Sequence, residues 1–155
     1  MFFKDEGGGM NKKGITLMEL IIVMAIIALG AVLMVPNIGA WLPNYRLRSA
    51  TRDIVSTMRL AQMKAVSTNV PYTVTFDEGN NSYIVQYQTT GGLKDDGVMQ
   101  NLPTGITMTV DFEGLDSAVF SPNSTASSGA LRLQNSKGGQ KTVTLFATTG
   151  RVKID

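Results

Sequence analysis

A chain of 155 residues with neither cysteine nor histidine lacks the commonest nucleophile, acid–base and zinc-ligand side chains together, which argues against an enzyme before any motif is sought. It also has no disulfide to staple it and no thiolate chemistry. The formal charge of +2 conceals three blocks. Residues 36–69 carry five cations against one acid, residues 70–128 one against seven, and residues 129–155 five against one, a pattern that reads as complementary packing within and between subunits.

In chain order, residues 1–14 read as a leader. Gly7-Gly8-Gly9 is too flexible to continue a helix, and Lys12-Lys13 hold that end in the cytoplasm, so the domain beyond the next segment is expected outside. Met10 is a second candidate start, giving a compact Met-Asn-Lys-Lys-Gly leader. Residues 15–35 form an apolar run with no polar side chain from Leu20 to Val35. As a helix it measures ~31 Å, the thickness of a bilayer core. A core helix of a soluble protein would show a polar stripe, and a cleaved secretory signal would have a shorter apolar region with a small-x-small site after it.

Glu19 is the one acid in this run. A carboxylate there costs ~2.5–3.5 kcal/mol on insertion scales and calls for a cationic partner. Cutting between Gly14 and Ile15 would supply one, an α-amine four residues before Glu19 on the same helical face, available to the same chain or to a neighbour in a bundle. Lys12-Lys13-Gly14 followed by Ile-Thr-Leu-Met-Glu-Leu resembles the class III signal of type IV pilins and type II secretion pseudopilins. The resemblance implies that a membrane-embedded prepilin peptidase cuts after Gly14 and methylates Ile15, where the family more often has Phe. It implies that Glu19 guides assembly with other pilins or pseudopilins on an inner-membrane platform, and that Pro36 is the family's helix-kinking proline. The protein would be a single-pass protein of the bacterial inner membrane, with its C-terminal domain in the periplasm.

Residues 36–69 are expected to be the extracytoplasmic part of the helix, resuming through Trp41, interrupted at Pro43 and running from about Asn44 to Thr68, with kinks or a break at the prolines. Trp41 and Tyr45 suit either a membrane interface or packing on the domain. Leu47, Ile54, Met58, Ala61 and Ala65 make one apolar stripe, while Arg48, Arg52 and Arg59 form a row on another face, a solvated or headgroup-facing row or a nucleic-acid contact.

Residues 70–155 read as a β-rich domain. Tyr72, Val74 and Phe76, then Tyr83, Val85 and Tyr87, alternate on either side of Asp77-Glu-Gly-Asn-Asn81, which predicts a hairpin. Thr89 to Pro103 reads as loop, Ile106 to Phe112 and Val119-Phe120 as strands, and Ser121 to Gly129 as an exposed loop. Three last strands are expected near 130–134, 142–147 and 151–154, with Thr149-Gly150 turning the final pair. Arg59-Leu-Ala-Gln-Met-Lys-Ala-Val66, Phe120-Ser-Pro-Asn with Gly129, and Gly150-Arg-Val resemble the GspH/FimT group of minor pseudopilins. That resemblance covers the mature chain. It implies an α+β, type IV pilin-like fold, in which a long N-terminal helix, half transmembrane and half amphipathic, packs on antiparallel sheets. It also implies a structural subunit of a pseudopilus or of a pilus tip.

Some FimT-like members bind DNA through a basic tail, which makes a DNA-binding minor pilin the alternative; the residues here would be Arg151 and Lys153, joined by Arg132 and Lys141, with Asp155 opposing them. A third reading is an uncleaved single-pass protein with an independent exterior domain. No nucleophile elbow, phosphate loop or dinucleotide fingerprint occurs, and Asp95-Asp96 fall short of a calcium ligand set, so no metal or other cofactor is expected.

Overall fold

The structure, a computed structural model, describes residues 14–155, and for residues 33–38 and Ala40 only the backbone. Most of the expected leader and the side chain of Pro36 lie outside the described residues. A division between two compact units falls between Ile38 and Gly39. The elements are one helix, α1 (Leu17–Thr68), then strands β1 (Tyr72–Asp77), β2 (Ser82–Thr89), β3 (Gly92–Asp95), β4 (Gln100–Asn101), β5 (Ile106–Asp111), β6 (Ser117–Phe120), β7 (Gly129–Asn135), β8 (Gln140–Phe146) and β9 (Arg151–Ile154).

Helix α1 starts and stops where its chemistry says it should. Thr16 caps the first turn, its Oγ1 accepting from the Glu19 N–H at 3.2 Å, and Asn69 ends the helix in the left-handed conformation with φ 56°, two residues before Pro71. The expected interruption at Pro43 is absent, because α1 is one helical element through both prolines. Each proline removes a single N–H from the ladder, and the turns on either side keep theirs.

In the first unit, the described side chains from Ile15 to Val32 are exposed apart from the half-buried Gly30. No helix among the described residues is long and apolar enough to cross a membrane. The expected span 15–35 is thus not reproduced among them. Their side chains stop at Val32, short of the ~20 apolar residues a bilayer core requires, while the sequence continues the run through Leu33-Met34-Val35.

The second unit is built on the other part of α1. Leu47, Ile54, Met58, Ala61 and Ala65 are all buried, joined by Ala50, Thr51 and Val55, so the apolar stripe is wider than its strictest spacing predicts. Two antiparallel sheets share this core. The first has the order β3-β2-β1-β6, with β4 also pairing β2; the second has the order β5-β7-β8-β9. Phe76 of the first sheet stacks on Phe112 just beyond β5, with ring centroids 5.8 Å apart, tying the two layers together.

The β1–β2 hairpin has the expected pairing, Tyr72 opposite Tyr87 and Phe76 opposite Tyr83. Its turn also reaches the second sheet, where Asn81 Oδ1 accepts from the Met108 N–H at 3.2 Å and Glu78 Oε1 accepts from the Val110 N–H. The segment expected as loop after Thr89 contains β3 and β4 instead. Their side chains are mostly exposed, so no alternation of apolar residues announces them, and it is backbone pairing of Leu93 to Asp95 with Gln86 to Gln88 that makes the strand. Gly129 starts β7 where a side chain would run into Asp111 O and Phe112, and Gly150 turns β8 into β9 at φ 58° with a Cβ position 2.9 Å from Ser124 O.

Lys64 on α1 and Asp96 beyond β3 form an ion pair at 2.6 Å. The hydrogen bond to that carboxylate holds the Lys64 ammonium above its ordinary pKa, against a smaller desolvation effect. Since the folded value is the raised one, the pair's stabilisation is complete below the unfolded value and lost as pH rises through the folded one. The gap in melting temperature between residues 39–155 and their Lys64→Met variant should hold steady up to about pH 10 and close above it, as monitored by circular dichroism. In the core, Ile54 is fully buried, and Ile54→Ala is expected to lower the unfolding free energy by ~2–5 kcal/mol in urea titrations of residues 39–155.

Candidate functional site

Gly14, Ile15 and Thr16 precede the helix, which places the expected cleavage point in non-helical backbone. Thr16-Leu-Met-Glu19 has the spacing of a capping box, and Glu19 lies in the first turn of α1, where the unpaired N–H groups favour a negative charge. The spacing was available in the sequence but is easily absorbed into the apolar run, so Glu19 has a local role that the search for a cationic partner overlooks. In the uncut chain α1 begins at Leu17, so Ile15 stands just before the helix and Glu19 in its first turn. From Ile15 to Val32 the large apolar side chains are exposed, a surface far beyond what single subunits normally present to water.

The four cations proposed for DNA do not converge. Arg132, Arg151 and Lys153 alternate with buried Leu131, Leu133 and Val152, so they stand on the outer face of the second sheet. Arg151 covers the Phe146 ring at 5.4 Å, and Lys153 pairs with Asp155 at 2.5 Å. Lys141 shares the side of β8 that carries buried Val143 and Leu145, which is the core side. There it joins Arg48, Thr51, Arg52 and Ile154 around a hollow of about 320 Å³. Sequence spacing put Lys141 with the tail; the strand's two-residue period puts it with the helix.

Trp41 and Tyr45 stack at 4.9 Å with an interplanar angle of 27°, and they are 60% and 54% exposed, so they do not pack into the domain's core. With Arg48 and Arg52 they continue one stripe of α1 and line adjoining hollows. Asp95 and Asp96 are both engaged within the protein, by Gln86 Nε2 at 2.8 Å and Lys64 Nζ at 2.6 Å. Among the described residues no group of three acidic, histidine or cysteine side chains is placed to hold a metal ion.

A helix headed by a capped acid and clad in exposed apolar residues, joined in sequence to an α+β domain of two antiparallel sheets, is the arrangement of pilin-type subunits. The family described as "Type II transport protein GspH" matches residues 50–149, and the "Prokaryotic N-terminal methylation motif" matches residues 9–35. The chain belongs to the GspH family. Its fold is shared with the minor pseudopilin EpsH from the type 2 secretion system of Vibrio cholerae, at a TM-score of 0.62 and 12% identity over 71% of this chain and 96% of that one. It is shared too with the type IV minor pilin FimU of Pseudomonas aeruginosa, at a TM-score of 0.60 and 12% identity over 72% and 90% of the two chains. For the solution structure of E. coli GspH the TM-score is 0.58 at 11% identity, over 72% and 89%. Among curated proteins none matches.

Proposed function

We propose that the protein is a minor pseudopilin, a structural subunit that prepilin peptidase cuts between Gly14 and Ile15 and that then assembles with other pilin-type subunits in a pseudopilus or pilus tip. The observation that carries this reading is the exposed apolar surface from Ile15 to Val32, preceded in sequence by Lys12-Lys13-Gly14 and headed by Glu19. Before assembly, residues 15–35 hold the chain in the inner membrane, where lipid covers that surface. In the filament the same surface packs against neighbouring helices.

Cutting supplies the remaining charge. The uncut chain has an amide at Ile15, whereas the cut chain has an α-amine, methylated or not, that stays cationic. An amine of this kind on a neighbour pairs with the Glu19 carboxylate, which the low dielectric of the membrane makes costly to leave alone. That pair adds one polar point of register to what the packing of the apolar side chains supplies.

The nucleic-acid alternative keeps Arg132, Arg151 and Lys153 on one sheet face, but a phenyl ring and a carboxylate already engage two of them. Phosphate contact by so few cations is weak and salt-sensitive. A gel shift with residues 39–155 is expected to show no complex at about 0.15 M salt. For the main reading, Glu19→Ala should leave the N-terminus cut, as intact-mass spectrometry reads it, while recovery of partner subunits in pulldowns from membranes falls about tenfold or more. Undiminished recovery would refute the role given to Glu19.

A further inference from the structure

A sheet border is either closed by the protein's own groups or left open to another strand. The border of β5 is closed by the β1–β2 turn, whose Asn81 and Glu78 take the Met108 and Val110 N–H groups. That of β6 is closed by the segment after it, with Ser127 N–H donating to Val119 O at 2.9 Å and Val119 N–H to Ser127 Oγ at 3.0 Å. β9, the last strand of the second sheet, has no such cover.

Its open groups follow from the ladder. Thr142 and Asp155 exchange both backbone hydrogen bonds, at 3.2 and 2.9 Å. Bonded positions alternate along an antiparallel pair, so Lys153 and Arg151 also bond toward β8, while Val152 and Ile154 turn their N–H and C=O groups outward. Among the described residues no hydrogen bond outside the ladder reaches those four groups. Two donors and two acceptors in alternation are what an extended polypeptide backbone complements. A nucleic-acid backbone does not, because it would set phosphate oxygens against the two carbonyls.

Cations flank this border on both faces. On the core side Ile154, 41% exposed, opens into the hollow of about 320 Å³ that Arg48, Thr51, Arg52 and Lys141 complete. On the outer side Arg151 lies over the Phe146 ring, which leaves its charge uncompensated, whereas Lys153 is taken by Asp155. No salt bridge among the described residues reaches Arg48, Arg52, Lys141 or Arg151. Asp53 borders a separate hollow with Arg48 and Arg52 and accepts from Ser49 Oγ at 3.5 Å. Arg48 and Arg52 are one helical turn apart, ~6 Å, close to the ~6.8 Å between same-face residues of a strand. Acids at alternate positions of an added strand therefore have the spacing of the two guanidinium groups. β3, an outer strand of the first sheet, lacks this field, because Lys94 and Asp95 offset one another there.

We infer that the β9 border takes up an extended, acid-rich segment of a different pilin-type subunit, which joins the second sheet as a fifth strand. Its backbone bonds to Val152 and Ile154, and its acids reach Arg48, Arg52 and Lys141 on one face and Arg151 on the other. The ladder holds the segment extended, and the charges select which segment enters. This inference rests on the reading of the chain as a minor subunit, whose neighbours are subunits other than its own copies.

The test uses the full-length chain with photoreactive p-benzoylphenylalanine at position 153, beside the border on the outer face, in cells that carry the assembly apparatus. Illumination is expected to give an adduct with a different pilin-type subunit, mapped by peptide mass spectrometry to an extended segment with two or more acids. Arg48→Glu combined with Arg52→Glu should lower its yield about fivefold or more. Ile154→Pro removes one outward donor and no bond to β8, and it should lower the yield similarly while the far-UV circular dichroism of the purified chain is unchanged. No adduct, an adduct with a second copy of this chain, with nucleic acid or with an acid-free segment, or a yield indifferent to charge reversal would each overturn the inference. Loss of the adduct with partner subunits still recovered counts against the border alone. The filament reading fails by its own signature, undiminished recovery of those subunits with Glu19→Ala.

Discussion

One helix here is asked to meet two kinds of surroundings, and the arrangement of its apolar side chains decides which residues face which. From Leu20 to Val32 there is no polar position to turn toward water, and the side chains stand exposed. From Leu47 onward one apolar stripe is buried under two sheets, and Arg48, Arg52 and Arg59 stay on the exposed remainder together with Leu60, Met63 and Val66. The stripe includes Ala50, Ala61 and Ala65, whose small side chains let the sheet residues come close. Everything the domain displays is set by that stripe, because it fixes which helix positions remain outside.

The readable parts of the fold are those in which one period governs burial. Leu47, Ile54, Met58, Ala61 and Ala65 repeat at helical spacing and are all in the core, and Ile106, Met108 and Val110 alternate inward along β5. What could not be read lacks that signal. Leu93, Lys94 and Asp95 pair with β2 through the backbone ladder, with one side-chain bond from Gln86 to Asp95, and their exposed side chains carry no apolar alternation. Pro43 looked like a stop, but a proline removes only one bond, and the helix continues across it. The Thr16…Glu19 cap was legible by spacing and hidden by its apolar neighbours.

The candidate site divides along the same line. Gly14, Ile15 and Glu19 form a contiguous motif, which a sequence displays in full, and the methylation-motif match covers it. The basic residues are scattered over a helix and three strands, so their grouping depends on register. Lys141 moves from the tail's company to that of Arg48 and Arg52 because it lies an even number of residues from Val143 and Leu145 on β8. Arg151 and Lys153, neighbours on one face as their spacing implies, turn out to have companions in Phe146 and Asp155. Charge blocks in the sequence therefore count the cations and acids, while strand register and sheet order decide which of them share a surface.

The β1–β2 turn has a bearing on how such subunits avoid sticking to one another in the wrong way. β5 is an outer strand of its sheet, and its outward N–H groups would otherwise invite a foreign strand to add on. Ile106 N–H donates to Pro103 O at 3.1 Å, Met108 N–H to Asn81 and Val110 N–H to Glu78, so the donors along that border are already occupied. A foreign strand therefore finds no free donor along this border, and sheet-to-sheet addition there is disfavoured. What that border leaves for other molecules to meet is side chains rather than open backbone.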